Sequence, residues 1–550
     1  MKARKWPSVL MAALAMTVVV LAGCSKDESG AAANKESTGE QTQQSQQSSE
    51  NENLNPSGFP IVKQPIKLSF MALSVPTPDW NDVLVFKEYE KMTNMDIEWQ
   101  MITPEAMKEK KNLIMTSGDY PDAFHSVGLS TNDLITYGGQ GIFIPLNDLI
   151  DKYAPNFKKL LDQYPEIKRG LTMPDGKIYS FPRIFDPDFT SVLMGWKLWI
   201  NKDFLDKLNM KEPETLEDFY RYLKAVKEND LNGNGKKDEI PFALSGDNYV
   251  INIFKGAFGL GNRGIMHPYV DVDPGTQQLR FIPADPRYKE MLQFLNKLYT
   301  EGLINEDLYT VKSEQIFARA SEGLFGSVIV TNPRTAYNQT NFIGANVLTG
   351  PHGDKLYSDV KSSLVNIGGF VITNKNKYPA ETVRWIDYFY GEEGIKMFFM
   401  GIEGVTYKQN PDGSVEYTEL ITKNPDGLSF TQAISKYLTW RTGGYPSVVT
   451  QKYFDGSEGQ PESIEAAKKL EKYKPQEVWP SFNFTLEESE VMSTIGADIQ
   501  NYVQEAEAQF ITGKMSFNDW GKYVDTLKKM GLDQYMQIYK AAYERYRSGK

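Results

Sequence analysis

The chain is poor in the side chains that carry most metal and nucleophilic chemistry, with one cysteine and three histidines in 550 residues. A single cysteine allows no internal disulfide and no thiolate cluster for zinc. The histidines, His125, His267 and His352, are scattered and lack zinc-ligand spacing. Neither a G-x-S-x-G elbow nor a Walker loop occurs. Basic residues are outnumbered, and the formal net charge of -11 argues against a nucleic-acid partner, which calls for a basic footprint. The apolar stretch at residues 9–22 is too short for a permanent membrane helix, which needs about 20 apolar residues.

That short stretch has another use. Lys2, Arg4 and Lys5 precede it and small residues close it, the pattern of a cleaved export signal over residues 1–23. Leu21-Ala22-Gly23-Cys24 matches the bacterial lipobox, in which the cysteine is lipid-modified and becomes the first mature residue. Cys24 is the chain's lone cysteine, so the expectation is a lipid anchor at the extracellular face of the cell membrane. Several acyl chains on one residue hold where a single chain would not. Residues 24–58 are Ser, Gln, Glu, Asn, Gly and Lys with almost nothing apolar, and read as a disordered tether. The remaining body, 59–550, is too long for one compact core.

Within the body, Ile66-Lys67-Leu68-Ser69-Phe70-Met71-Ala72-Leu73 alternates as a strand does. A helical stretch, a second strand near residues 96–101, a helix beginning at Pro104 and a third strand from Pro121 follow. Strand and helix alternating at this spacing describe a parallel α/β unit, whose ligands bind beyond the carboxyl ends of the strands. Thr215 reads as the N-cap of a helix, and Gly368-Gly369 as a place of close backbone approach within a strand. The part from about Thr485 is mostly helical and opens on the capping box Thr485-Leu486-Glu487-Glu488. The pattern is α/β in two lobes formed from discontinuous segments, with crossings expected near residues 190–200 and 366–373.

Asp230-Leu231-Asn232-Gly233-Asn234-Gly235-Lys236-Lys237-Asp238-Glu239 places oxygen side chains at alternate positions and glycine at the sixth, as a calcium loop requires. Asp230, Asn232, Asn234, Asp238 and Glu239 are the expected side-chain ligands and Lys236 a carbonyl ligand. The twelfth position, where an EF-hand has a bidentate Glu, holds Pro241, so Glu239 has to supply that role. A structural rather than regulatory Ca2+ is expected; the competing reading is a polar turn with no metal. Aromatic residues make up 12% of the chain, including nine tryptophans. Sugar rings pack their C–H faces on indoles, so Trp80 after Asp79, Trp196 near Lys197, and Trp440 before Arg441 are candidate ligand-binding residues. Trp385 and Trp520 lie in helical patterns and are expected in the core. Gly259-Leu260-Gly261-Asn262-Arg263-Gly264 fits a dinucleotide fingerprint formally, but Pro268 and a turn follow where a helix is required.

These features together resemble the large extracellular solute-binding lipoproteins of ABC importers, the family-1, sugar-type group that includes LipO-like proteins. They also look like the calcium-containing alginate-binding members. The matching stretches are Ser117-Gly118-Asp119-Tyr120-Pro121-Asp122, Trp199-Ile200-Asn201-Lys202-Asp203-Phe204-Leu205, and the calcium loop through Pro241. Further matches are Gly401-Ile402-Glu403-Gly404-Val405-Thr406-Tyr407 and Phe510-Ile511-Thr512-Gly513-Lys514. The resemblance implies a two-lobe, periplasmic-binding-protein-like clamp with a hinge, monomeric, handing its solute to permease subunits that are separate chains. It does not fix the solute; Trp80, Trp196, Trp440 and Arg441 come from composition alone.

An importer receptor for an oligosaccharide accommodates anchor, tether, acidic surface and lobed pattern together. A peptide receptor is the rival within binding, because backbone hydrogen bonding in a cleft needs no special residues. A surface glycan-degrading enzyme predicts a carboxylate pair at the cleft. An adhesion or signalling receptor predicts an exposed apolar patch away from any cleft.

Overall fold

The computed structural model describes residues 52–73, 79–246, 248–438 and 445–549. Chain order explains the architecture. β1 (Ile66–Leu73) and β2 (Met95–Ile102) pair in parallel with Ile66 opposite Met95 and Leu73 opposite Ile102. β3 (Ala123–Leu129) joins the other side of β1, also in parallel, and β4 (Ser180–Phe185) follows. The alternation legible in β1 buries Ile66, Leu68 and Phe70 and leaves Lys67 exposed, so one register fits the core.

The chain then builds a second sheet from β5 (Lys197–Asn201) and β6 (Ile240–Ala243). The hairpin of β7 (Val270–Val272) and β8 (Leu279–Phe281) stands apart, before β9 (Phe325–Val330) and β10 (Phe342–Gly344). The order in this second sheet is β10-β5-β9-β6. Returning to the first sheet, the chain lays β11 (Leu364–Ile372) antiparallel to both β3 and β4. A hairpin of β12 (Tyr407–Gln409) and β13 (Val415–Tyr417) intervenes, and β14 (Val448–Val449) completes the order β14-β4-β11-β3-β1-β2. At the β11 crowding point, a Cβ on Gly368 would lie 2.3 Å from the Leu129 carbonyl oxygen, and one on Gly369 would lie 2.7 Å from that of Phe181. Glycine is therefore required there.

Each sheet carries its own apolar cluster. Helices Leu486–Val491, Ala497–Ile511, Trp520–Lys529 and Leu532–Ser548 form the helical C-terminal part. Val503, Phe510, Leu527 and Tyr539 join the cluster of the four-stranded lobe. Thr485 and Glu488 make the capping box read from the sequence, and Thr215 with Asp218 makes another. Segments 186–196, 345–363 and 450–478 link the two lobes and bond to one another. Lys361 N–H donates to the Leu193 carbonyl at 2.9 Å and Tyr357 N–H to that of Tyr473 at 2.8 Å.

The folded body takes in residues that composition assigned to the 24–58 tether. Leu54 is 8% exposed and bridges to Val62, while Asn53 and Asn55 bond across to Gln64 and Pro60. Leu54 and Ile61 are buried on the lobe, and Arg384 donates to the Asn55 and Gly58 carbonyls, so the polar stretch between them is held there. Among the described residues, no helix is long and apolar enough to cross a membrane.

Candidate functional site

Where the linking segments meet, aromatic and charged side chains gather. Trp196 ends segment 186–196, and its ring stacks on Tyr249 with centroids 3.7 Å apart and planes 22° apart. Tyr249 sits in the helix Asn248–Phe254 and is 38% exposed, so the pair keeps an open edge toward solvent. The Tyr357 hydroxyl donates to the Trp196 carbonyl oxygen and ties the second linking segment to the first. On the neighbouring strand, the Arg183 guanidinium lies over the Tyr445 ring at 5.0 Å and the Phe185 ring at 5.6 Å.

Behind the aromatic pair lies an unusual set of buried charges. Lys197 is fully buried and donates to the Ser191 carbonyl at 3.3 Å and the Gly195 carbonyl at 3.4 Å. Burial lowers its pKa to about 8, with the Lys361 charge adding to that shift while Glu458 and Asp359 oppose it. Lys255, also buried, donates to Asn252 Oδ1 at 3.1 Å and is lowered by burial to about 8 against Asp359, Asp271 and Glu507. Asp359 is 0% exposed, and burial raises it to about 6 against the pull of Lys361, Lys255 and Lys197. Glu458, from the third linking segment, and Lys361 both come close to Gly195, whose added Cβ would meet their Oε1 at 3.6 Å and Nζ at 3.4 Å. Lys197, Lys255 and Asp359 are buried, where a charge is expensive unless it is paired and hydrogen-bonded.

The candidates from sequence fall in different places. Trp196 is at the junction. Trp80 is 0% exposed, its ring packed against Trp99 at 5.0 Å, His125 at 5.3 Å and Phe86 at 5.4 Å. The reason is a staple that local sequence does not reveal. Asn81 Nδ2 donates to the Trp99 carbonyl at 3.0 Å, and Trp99 N–H donates to Asn81 Oδ1 at 2.9 Å. This presses the loop and its indole onto the sheet, so Trp80 is core and presents no face to a ligand. Trp440, Arg441 and Cys24 lie outside the described residues. Trp385 is buried as expected, and Trp520 is half-buried against Phe510 and Tyr523. Tyr249, Asp359 and Lys361 were missed, because their neighbours in sequence form no motif. The glycine-rich run 259–264 is a structural turn: Gly261 N–H donates to Asp271 Oδ2 at 2.7 Å, and Asp271 is ion-paired with Arg280 at 2.6 Å.

The loop 230–239 joins the helix Leu216–Glu228 to β6. Asp230 accepts from Gly233 N–H and Gly235 N–H, each at 2.8 Å. Asn232 Oδ1 accepts from Asn234 N–H at 3.0 Å, and Asn234 Oδ1 from Lys236 N–H at 2.8 Å. Gly235 has φ of 83°, a conformation that glycine takes without strain. Glu239 is buried, and its Oε1 accepts from the N–H groups of Leu231 and Asn232, while its Oε2 is buried without a partner. Asp238 is exposed and accepts from Asn234 Nδ2 at 2.9 Å. Among the described residues, no group of three or more His, Cys, Asp or Glu gathers as a metal site. Any ion in this loop would lean on amide and carbonyl oxygens as well as on carboxylates.

With this geometry in view, comparison with known proteins is informative. Residues 79–396 match the family described as bacterial extracellular solute-binding protein. The chain is 31% identical over 512 residues to the fructooligosaccharide ABC transporter substrate-binding protein FusA of Streptococcus pneumoniae serotype 4, covering 90% of this chain and 92% of FusA. Structures of FusA in complex with kestose, and of its EF-hand mutant in complex with fructo-nystose, both give a TM-score of 0.70 at 29% identity, covering 88% of this chain and 100% of theirs. The polygalacturonan/rhamnogalacturonan-binding protein YtcQ of Bacillus subtilis is 25% identical over 509 residues, covering 87% of this chain and 91% of YtcQ. The alginate-binding protein AlgQ2, solved without calcium ion, gives a TM-score of 0.66 at 25% identity over 88% of this chain and 99% of its own.

Proposed function

The chain belongs to the bacterial extracellular solute-binding proteins, and from that premise we propose that it captures an oligosaccharide at the lobe junction and delivers it to an ABC importer. The observation that carries this reading is the Trp196–Tyr249 stack beside buried charged groups, in a chain alignable with FusA along 90% of its length. A stacked indole and phenol offer the C–H face of a sugar a rigid apolar surface at low entropic cost. Charged and amide groups nearby satisfy the hydroxyls, which cannot be buried unpaired. The lobes close on the solute, and permease subunits, as separate chains, receive it. Lipidation of Cys24, in this reading, holds the protein at the extracellular face of the cell membrane after residues 1–23 are removed, with a polar tether between anchor and body.

The reading includes a structural calcium ion in the loop 230–239. Supporting it, the side-chain oxygens of Asp230, Asn232 and Asn234 turn inward on backbone N–H groups, and Glu239 leaves one buried carboxylate oxygen without a partner. An oxygen-rich loop with one buried carboxylate oxygen left unpartnered fits a hard cation. Asp230, Asn232, Asn234 and Glu239 would hold it through side chains and Lys236 through its carbonyl, with Asp238 at the outer edge. Bound there, the ion would fix the start of β6 against the preceding helix.

An enzymatic reading draws on Asp359 alone, because a carboxyl group held up to about 6 resembles the acid of a glycoside hydrolase. One experiment separates the two. Calorimetric titration of residues 52–550 with kestose should give saturable binding, and mass spectrometry afterwards should recover the sugar intact. Binding of peptides in preference to sugars removes the oligosaccharide reading, and breakdown products establish the enzyme.

A further inference from the structure

Asp359 is held firmly on both sides, yet its own carboxylate is left with nothing. Tyr357 bonds through its N–H to Tyr473 and through its hydroxyl to Trp196. Ser358 Oγ accepts from Gly256 N–H at 3.1 Å and donates to the Asn252 carbonyl at 2.6 Å. The Val360 carbonyl accepts from Ile265 N–H at 3.0 Å, and Lys361 N–H reaches Leu193 at 2.9 Å. Both carboxylate oxygens of Asp359 are buried without a hydrogen-bond partner. The neighbouring lysines balance its charge from a distance instead of pairing with it, since Lys197 and Lys255 direct their protons to Ser191, Gly195 and Asn252. A buried carboxylate that no donor meets is costly to hold in a fold. A position that costs stability and is nonetheless fixed from four sides is pre-organised for something that arrives later.

The chemistry of that arrival is constrained. An ionised carboxylate only accepts hydrogen bonds, so its partner must donate. Its surroundings tie it to the aromatic pair. Ser358 bonds to Asn252 in the same helix as Tyr249, and the Tyr249 hydroxyl feels the Asp359 charge. A molecule with an apolar face for Trp196 and Tyr249 and adjacent donor hydroxyls for Asp359 is an uncharged sugar. A sugar acid would set a second acceptor-only carboxylate against Asp359, while Lys197 and Lys255 already direct their protons to Ser191, Gly195 and Asn252.

Resting on the oligosaccharide reading above, we propose that Asp359 is the specificity-determining acceptor of the ligand site. Its two oxygens take hydrogen bonds from neighbouring hydroxyls of a neutral sugar unit, and they offer no donor to the carboxylate of a uronic-acid oligomer. The carboxylate is reached when the lobes part, the motion open to a two-lobe clamp.

The test is a titration of wild-type protein, Asp359→Asn, Asp359→Glu and Trp196→Ala with kestose and with trigalacturonate, with near-ultraviolet circular dichroism to confirm folding. Wild type should bind kestose and bind trigalacturonate at least tenfold more weakly. Asp359→Asn should lose at least tenfold for kestose and narrow the preference. Trp196→Ala should weaken both sugars without narrowing it. Asp359→Glu keeps the charge but shifts it by one methylene, and should retain the preference while binding kestose less well; it decides the matter if the Asn variant does not fold. Unchanged kestose affinity and preference in Asp359→Asn, with only a lower melting temperature, makes the residue a structural counter-charge and overturns the proposal. A wild type that prefers trigalacturonate overturns the proposal alone; a wild type that binds peptides in preference to both sugars overturns the oligosaccharide reading as well.

Discussion

The two lobes spend their aromatic residues differently. In the six-stranded lobe, Trp80, Trp99 and Trp385 form one sealed cluster with Phe70, Phe86 and His125, and none of the three indole N–H groups finds a partner among the described residues. In the four-stranded lobe, Trp196 stacks on the exposed Tyr249, while Trp199 is buried and donates its indole N–H to the Val330 carbonyl at 2.9 Å. The same side chain thus serves as filling in one place and as an open surface in the other. What separates Trp80 from Trp196 is the Asn81 side-chain amide bridging to the Trp99 main chain, not the residue type or the polar neighbour in sequence.

The sharpest way to break this comparison is Trp80→Ala. Removing a fully buried indole leaves a cavity, and the expected loss is about 3–5 kcal/mol of unfolding free energy, read by urea titration. A loss under about 1 kcal/mol would mean that the ring is not core. Removing metal tests the other lobe. Chelation with EDTA should cost about 3 kcal/mol if calcium is present at about a hundred times its dissociation constant. Hydrogen exchange should then speed up in β6 and the helix Leu216–Glu228 and stay slow in β1 to β3; an unchanged melting temperature ends the calcium assignment.

Acid comes next. His125 is buried neutral, with burial lowering its pKa to about 3, and His267 in the other lobe is lowered by burial to about 4. Both values lie below the unfolded value of about 6.5, so the unfolded chain binds more protons below that pH. The stability held by each neutral imidazole is complete above pH ~6.5 and drains away as pH falls toward the folded value, by about 2 kcal/mol per histidine at pH 5. His125→Phe should flatten one such slope, because Trp80, Trp99 and Phe370 already supply an aromatic pocket. His267→Phe should destabilise at every pH, since the Pro480 carbonyl loses its partner at 2.9 Å. Equal pH profiles in wild type and His125→Phe would show that His125 does not titrate on unfolding. Last and smallest, Trp196→Ala should weaken kestose binding about tenfold, about 1.4 kcal/mol, with a smaller fall in melting temperature than Trp80→Ala.

Much of the fold was legible because its signals are local. Alternation gives β1, the capping pairs Thr215–Asp218 and Thr485–Glu488 mark helix starts, and Gly368-Gly369 marks a close approach. The turn of loop 230–239 was legible for the same reason, since its oxygens and glycine repeat at fixed offsets; the calcium proposed for it rests on that pattern. The side-chain cluster at the lobe junction was not legible, apart from Trp196. Asp359, Lys197, Lys255 and Glu458 come together only because three separate stretches of chain meet, and no spacing along the sequence records that meeting. Trp80 failed in the opposite sense, since a loop position beside Asp79 looks exposed until the bond to Trp99, eighteen positions away, is known.

The number of linking segments has one more consequence. Among the described residues the chain passes between lobes three times, through 186–196, 345–363 and 450–478, and an odd count puts Leu54, near the first described residue, and Tyr546, near the last, on opposite lobes. If Cys24 carries the proposed lipid anchor, the six-stranded lobe, which holds the first described residues, is the anchored jaw, and the four-stranded lobe with its helical tail is the free one. A fluorophore at Ser548, paired with one at Asn53, would report each bite of the clamp as a change in energy transfer.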